Sequence, residues 1–176
     1  MKLAWIDTEI SGPEAYDQVI ELGWLTSESK GSYLLKLPEH SEMHPKNEEL
    51  TGLTKAYLER HGANDFTLPE ALKNRIWCSY SLQHDVNWIN LTLKLYGQLP
   101  LTQVPGICLA EVYQRALGYK GPIPMQNVLR KIGYSDRIKH RAYDDALMHY
   151  HIYKYAIVHY HQLVRDSVRL FNPKSI

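Results

Sequence analysis

The 176-residue sequence holds two cysteines, no long uninterrupted apolar run and a formal net charge of only +1. Each shortage removes a class of protein. Without about 18 consecutive apolar residues, no membrane span is expected. The N-terminal stretch reaches Asp7 too soon for a secretory signal. Cys78 and Cys108 each stand beside apolar residues, which suits buried free thiols in a reducing compartment, with a disulfide as the open alternative. The chain therefore reads as cytoplasmic. So small a net charge argues against coating a long duplex by bulk attraction, though not against hydrolysing nucleic acid. Cys-x-x-Cys and His-Glu-x-x-His are both missing, which argues against zinc. There is no glycine-rich phosphate loop and no Gly-x-Ser-x-Gly nucleophile turn. His149, His151, His159 and His161 resemble a metal tract, but helical residues two apart point to different sides.

The periodicities predict a single α/β domain of ordinary size. Residues 2–7 read as a strand, and 17–25 with 32–37 as an antiparallel pair around the polar turn 26–31. Short helices are expected over 46–50, 55–61 and 68–74, the last capped by Thr67 with Pro69 in its first turn. A buried strand over 75–79 leads to a helix over 86–96, ended by Gly97 and Pro100. A strand over 103–108 precedes helices over 110–117 and 124–132, stopped by Gly118 and Gly133. The last helix is expected from 141 to about 171. Its apolar positions Ala146, Tyr150, Tyr153, Ile157, Tyr160, Val164, Val168 and Phe171 recur every three or four residues. Strands first, then strands interleaved with helices, give a mixed sheet flanked by helices.

Within this frame, acids stand where acids are expensive. Asp7 and Glu9 share one face of the first strand, because strand side chains alternate. Two carboxylates so close repel, and one stays protonated unless a cation sits between them. Solvated acids at an exposed strand end would be the plainer account, but Trp5, Ile6 and the apolar stretch 19–25 mark the strand as central. Asp85 directly precedes the helix over 86–96, where an acid caps the helix and offsets its N-terminal charge. It also stands at the C-terminal end of a strand, a position for a metal ligand. His140 and Asp145 lie five apart where the last helix begins, so both can face one cleft. There Asp145 would hold a cation while the imidazole takes a proton from water. A surface histidine and an acidic first turn are the commoner meanings of each residue alone.

Together the five resemble the signature of the DEDDh-type 3′-to-5′ exonucleases, which include proofreading epsilon subunits, oligoribonucleases and ribonuclease T. Asp7-Thr8-Glu9-Ile10-Ser11-Gly12 is similar to the first motif, Asp85 to the second-motif aspartate, and His140-x-Ala142-x-x-Asp145 to the third. Leu50-Thr51-Gly52-Leu53-Thr54 is similar to a Gly-Ile-Thr segment between the first two. Ser81 and His84 depart from the Asn and Phe common around the second motif, and Cys108 from an Asp-Thr pair after the fifth strand. The resemblance implies a ribonuclease-H-like mixed five-stranded sheet with a long C-terminal helix. It implies a two-metal hydrolase using two Mg²⁺ or Mn²⁺ ions held by Asp7, Glu9, Asp85 and Asp145, with His140 as general base. Thr8 and Ile10 would meet the terminal nucleotide, and the substrate would be the 3′ end of single-stranded DNA or RNA.

Further readings stay open at this point. Arg130, Lys131, Arg137, Lys139 and Arg141 make either a phosphate-tracking rim or a solvated loop. His84, Tyr80 and Trp88 are the aromatic candidates for a base contact, against the commoner core role. Asp144 competes with Asp145, although neighbours on a helix point about 100° apart and the motif spacing favours Asp145. An oligoribonuclease-like enzyme on very short RNA and a catalytically silent nucleic-acid-binding module are the alternatives in function. The long last helix also offers a surface for a homodimer.

Overall fold

The computed structural model describes residues 2–135 and 138–174. Its frame is a six-stranded mixed sheet in the order β3-β2-β1-β4-β5-β6. The strands β1 (Leu3–Ile10), β2 (Val19–Thr26) and β3 (Lys30–Leu34) form an antiparallel meander. On the other side of β1, β4 (Ile76–Ser79) and β5 (Val104–Cys108) run parallel to it, and β6 (Arg169–Phe171) lies antiparallel to β5. Helices fill the connections: α1 (Pro45–Thr51), α2 (Lys55–His61), α3 (Leu82–Leu95), α4 (Leu109–Leu117), α5 (Met125–Lys131), α6 (Ala142–His159) and α7 (His161–Asp166).

Alternation along β1 divides the core. Ala4 and Ile6 pack with Val86, Ile89 and Leu93 of α3, whereas Trp5 packs with α4 to α7 through Val112, Val128, Ile152 and Val164. Two helical layers thus bury both faces, as a central parallel strand requires. Cys78 and Cys108 are buried free thiols, as expected. Among the described residues no helix is long and apolar enough to cross a membrane.

The tail differs from the single long helix expected over 141–171. The backbone of Tyr160 leaves helical geometry (φ −135°, ψ 34°), so it both ends α6 and starts α7. The chain then turns to lay Phe171 opposite Val104 as the sixth strand. Val168 and Phe171 are three apart, which is helical spacing, and a three-residue strand is too short to show a period of its own. The helix expected over 68–74 contracts to one 3₁₀ turn, Glu70–Leu72. Pro69 is extended (ψ 135°) and Asn74 is left-handed (φ 54°), so both ends of that segment leave helical geometry.

One close approach fixes how α6 crosses the sheet. A Cβ on Gly23 would lie 2.1 Å from the backbone carbon of Ala142, the first residue of α6. Gly23→Ala is therefore expected to cost about 1–3 kcal/mol of stability, as overpacking does, read from the urea midpoint. An unchanged midpoint would show that α6 can shift without penalty.

Candidate active site

The register of β1 opens the site. Its β4 pairing covers only Leu3, Ala4 and Trp5, while its β2 pairing runs on to Ile10. Residues 7–10 thus carry a strand on one side only. Their other side meets the start of α3 and a cleft of about 350 Å³ lined by Asp7, Thr8, Glu9, His84, Asp85, His140, Asp145 and His149, among others. This is the point where the chain leaves β1 to one side and β4 to the other, the usual place for a site in an open α/β sheet.

All four carboxylates and the histidine read from sequence line this cleft. One ligand atom each from Glu9, His140 and Asp145 lies within 4.8 Å of the others. Asp145, in the first turn of α6, also accepts a hydrogen bond from the Lys139 backbone at 3.3 Å, tying down the loop that carries His140. His140 itself adopts a left-handed backbone (φ 51°), rare for a non-glycine residue. Asp85 differs from its expected place before the helix: α3 begins at Leu82, so Asp85 is in its first turn. Its carboxylate accepts hydrogen bonds from Thr8 Oγ1 at 2.7 Å and from the Ser79 hydroxyl. Asp144 points elsewhere, pairing with Lys139 Nζ at 3.5 Å.

These acids are held where ionisation is costly. Burial, then the charges of Asp85, Glu9 and Asp145, push the Asp7 carboxyl well above its ordinary value. Burial, followed by Asp145 and Glu21, raises Glu9 to about 8. Burial raises Asp145 to about 6, although the Lys139 amide pulls it down. Asp85 is raised by burial against the two hydroxyl bonds. A set of mutually repelling, half-desolvated carboxylate oxygens fits a divalent cation, which would neutralise all of them at once.

Two buried residues at the site were absent from the sequence reading of it. His149, dismissed there with the histidine tract, lies one turn beyond Asp145 on the same face of α6. It is 1% exposed, and its Nε2 is 3.8 Å from Asp7 Oδ1. Burial depresses its pKa to about 4, so it is neutral. Glu21 is opposite Glu9 on β2 and is also buried. It accepts Arg141 Nε and Nη2, both at 3.0 Å, the Ala142 amide at 3.1 Å and Ser32 Oγ at 2.5 Å. Burial alone would raise Glu21, but the bonds from Arg141, Ser32 and Ala142 hold it below its ordinary value. An acid inside the apolar stretch 19–25, and the four-residue step from Asp145, were the available signals.

The remaining expectations divide. Thr8 and His84 line the cleft, whereas Ile10 does not; its carbonyl accepts Asn47 Nδ2 at 2.9 Å. Tyr80 lines the cleft but is buried, with its hydroxyl bonded to the Ile123 carbonyl, and Trp88 is core. Of the basic cluster, Arg141 is turned in to Glu21, Lys139 pairs with Asp144, and Arg137 lies outside the described residues. Arg130 lines a second groove with Gln126, Tyr134 and Ile138 that shares His140 with the cleft. The Leu50–Thr54 stretch ends α1 and leads into α2: Gly52 closes α1 in a left-handed turn (φ 68°), and Thr54 Oγ1 caps α2 by accepting from Tyr57 N at 3.1 Å.

A family model, RNase_T, described as exonuclease, matches residues 4–153. The chain belongs to this exonuclease family. The likeness to DEDDh-type 3′-to-5′ exonucleases read from the motifs is thereby borne out. Among curated proteins no sequence matches the exonuclease. Solved structures share its fold at low identity. The nuclease domain of 3′hExo, a DEDDh family member bound to rAMP, is 15% identical with a TM-score of 0.68, over 98% of this chain and 97% of that one. S. pombe Pop2p, in its Mg²⁺- and Mn²⁺-bound form, is 16% identical at a TM-score of 0.68, over 99% and 90%. E. coli exonuclease I with a dA16 oligonucleotide is 15% identical at 0.76, and the 94% of this exonuclease that aligns corresponds to 42% of that chain.

Proposed function

We propose that this exonuclease removes nucleoside 5′-monophosphates one at a time from the 3′ end of single-stranded nucleic acid. The observation that carries the reading is the convergence of Asp7, Glu9, Asp85, His140 and Asp145, from three distant segments, on one cleft. Two divalent cations bound there, Mg²⁺ or Mn²⁺, would polarise the phosphodiester and offset its developing negative charge. Asp7, Glu9 and Asp145 would supply oxygens for them, and Asp85 would supply one more from the α3 side. The His140 imidazole accepts the proton of the attacking water as the water oxygen joins phosphorus and the bond to the 3′ oxygen breaks. Its place at the start of α6 leaves it between the carboxylates and the open groove.

His84 gives the cleft a hydrogen-bond donor toward the nucleotide. The Trp88 indole N–H, which can only donate, bonds His84 Nε2 at 3.0 Å. The His84 proton therefore resides on Nδ1, where it would meet an acceptor on a base or sugar. The relatives that hold rAMP and dA16 support a nucleotide-chain substrate of either sugar.

The test uses single-stranded DNA and RNA of several lengths, labelled at the 5′ end, with Mg²⁺, Mn²⁺ or EDTA. A ladder that shrinks from the 3′ end only with metal is expected. Cutting confined to dinucleotides and trinucleotides of RNA would place the activity with oligoribonucleases, and complete inertness would indicate a binding module. His140→Ala is expected to slow turnover by roughly a hundredfold or more with cation binding retained. Undiminished turnover would exclude His140 as the base.

A further inference from the structure

The imidazole of His149 brings a lone pair close to Asp7. A backbone carbonyl only accepts, so the 2.7 Å bond between His149 Nδ1 and the Ile6 oxygen puts the ring proton on Nδ1. Nε2 is left as an acceptor, 3.8 Å from Asp7 Oδ1. Two acceptors facing each other inside a buried site repel unless something positive lies between them. A shared proton does not serve, because a hydrogen bond needs roughly 3 Å or less between such atoms. A metal ion does, since bonds of about 2.1 Å to a nitrogen and to an oxygen together reach across that gap. The orientation agrees: histidines that bind metals almost always donate their other ring N–H to a carbonyl, carboxylate or water, as His149 does.

We infer that His149 is a nitrogen ligand of the cation held by Asp7, which makes this site prefer Co²⁺ or Zn²⁺ to Mg²⁺. The inference rests on the carboxylate cleft being a metal site, and it adds a ligand that the motif pattern lacks. Imidazole suits the later transition ions, whereas Mg²⁺ keeps to oxygen donors. Nothing in the reaction needs a second imidazole, because His140 already stands at the open side of the cleft to take the proton. The four-residue step places Asp145 and His149 on one helical face, so a single rigid element sets both relative to β1.

The experiment is calorimetric titration of the metal-free protein with Mg²⁺, Mn²⁺ and Zn²⁺, comparing wild type with His149→Asn. The asparagine amide can still donate to the Ile6 carbonyl but brings no lone pair to the Nε2 position. Affinity for Zn²⁺ is expected to fall by about ten- to a hundredfold, with Mg²⁺ within about twofold. Equal binding of all three ions by both proteins overturns the role of His149 while leaving the carboxylate site standing. An equal loss for Mg²⁺ and Zn²⁺ also overturns it, since that is what a packing defect would do. Absence of binding to wild type removes the metal site itself and the inference with it. Should the variant not fold, ¹⁵N spectra of the wild-type imidazoles decide: the His149 Nε2 resonance should move on adding Zn²⁺, and a fixed resonance overturns the assignment.

Discussion

Asparagine in place of Asp7 is expected to lower hydrolysis by roughly a thousandfold or more, yet to raise the melting temperature of the metal-free exonuclease. Asp7 is only 18% exposed, and burial together with Asp85, Glu9 and Asp145 pushes its carboxyl well above the ordinary range. Without a cation, the native state must either keep a proton in this cluster or hold repelling charges out of water, and both cost stability near neutral pH. Asparagine has the same shape and no charge, so it removes the repulsion and leaves the packing of β1 alone. It also removes an anionic oxygen from the site where cations would be held. The check is a melting curve in EDTA beside a rate with Mn²⁺. A variant that is inactive and also melts early would show that Asp7 serves folding instead.

The same electrostatics set a pH window. A carboxyl whose folded value is raised binds more protons in the native state than in the unfolded one, so stability falls as pH rises through the interval between the two. For Glu9 that interval runs from 4.5 to about 8, and for Asp145 from 3.8 to about 6. His149 acts oppositely between about 4 and 6.5, where raising the pH removes a proton that only the unfolded state welcomes. Between pH 6.5 and 8, therefore, Glu9 and its raised neighbours act without that opposition. The metal-free exonuclease should lose stability over this range. Added Mn²⁺ should raise the melting temperature more at pH 8 than at pH 6.5. A gain independent of pH would mean that the ion does not displace protons from these acids.

The candidate site was more legible in the sequence than the chain's tail was. Asp7 and Glu9 are two apart on a strand, and His140 and Asp145 five apart across a loop-to-helix junction, so local geometry alone brings each pair together. Asp85 was legible as an acid at the start of a helix, but its bonds to Thr8 and Ser79 depend on how β1 and β4 pair, which no local pattern records. His149 was hidden by its company. Three other histidines nearby made a tract that helix geometry rightly breaks up, and only the packing of α6 on β1 shows that one member meets Asp7. Likewise Arg141 carried the same charge as its neighbours, and only the fold reveals an acid waiting for it on β2. The sixth strand failed for lack of length, since three residues cannot declare a period.

Arg141→Ala is expected to destabilise the exonuclease by about 3–5 kcal/mol at neutral pH, the usual result of leaving a buried charge unpaired. The Glu21 side chain is 2% exposed, and Arg141 meets it with two donors at 3.0 Å each. The pair also joins β2 to the residue that follows His140 and, through the Ala142 amide, to the first turn of α6. Loss of the clasp should free the left-handed turn at His140 as well, lowering kcat by on the order of a hundredfold where misplacement of a catalytic group reaches about an ångström. The pH dependence separates this account from simple loss of packing. In wild type Glu21 is held below its ordinary value of 4.5, so its contribution is present above that pH and lost as pH falls. In the variant its carboxyl should be raised, so the penalty is full at neutral pH and relieved as pH falls toward 4.5. The two stability curves should therefore converge in acid, and a constant gap would show that charge is not the cause. Adding Glu21→Gln to the variant should recover part of the lost stability, because no buried charge then remains, whereas the same substitution in wild type should only destabilise.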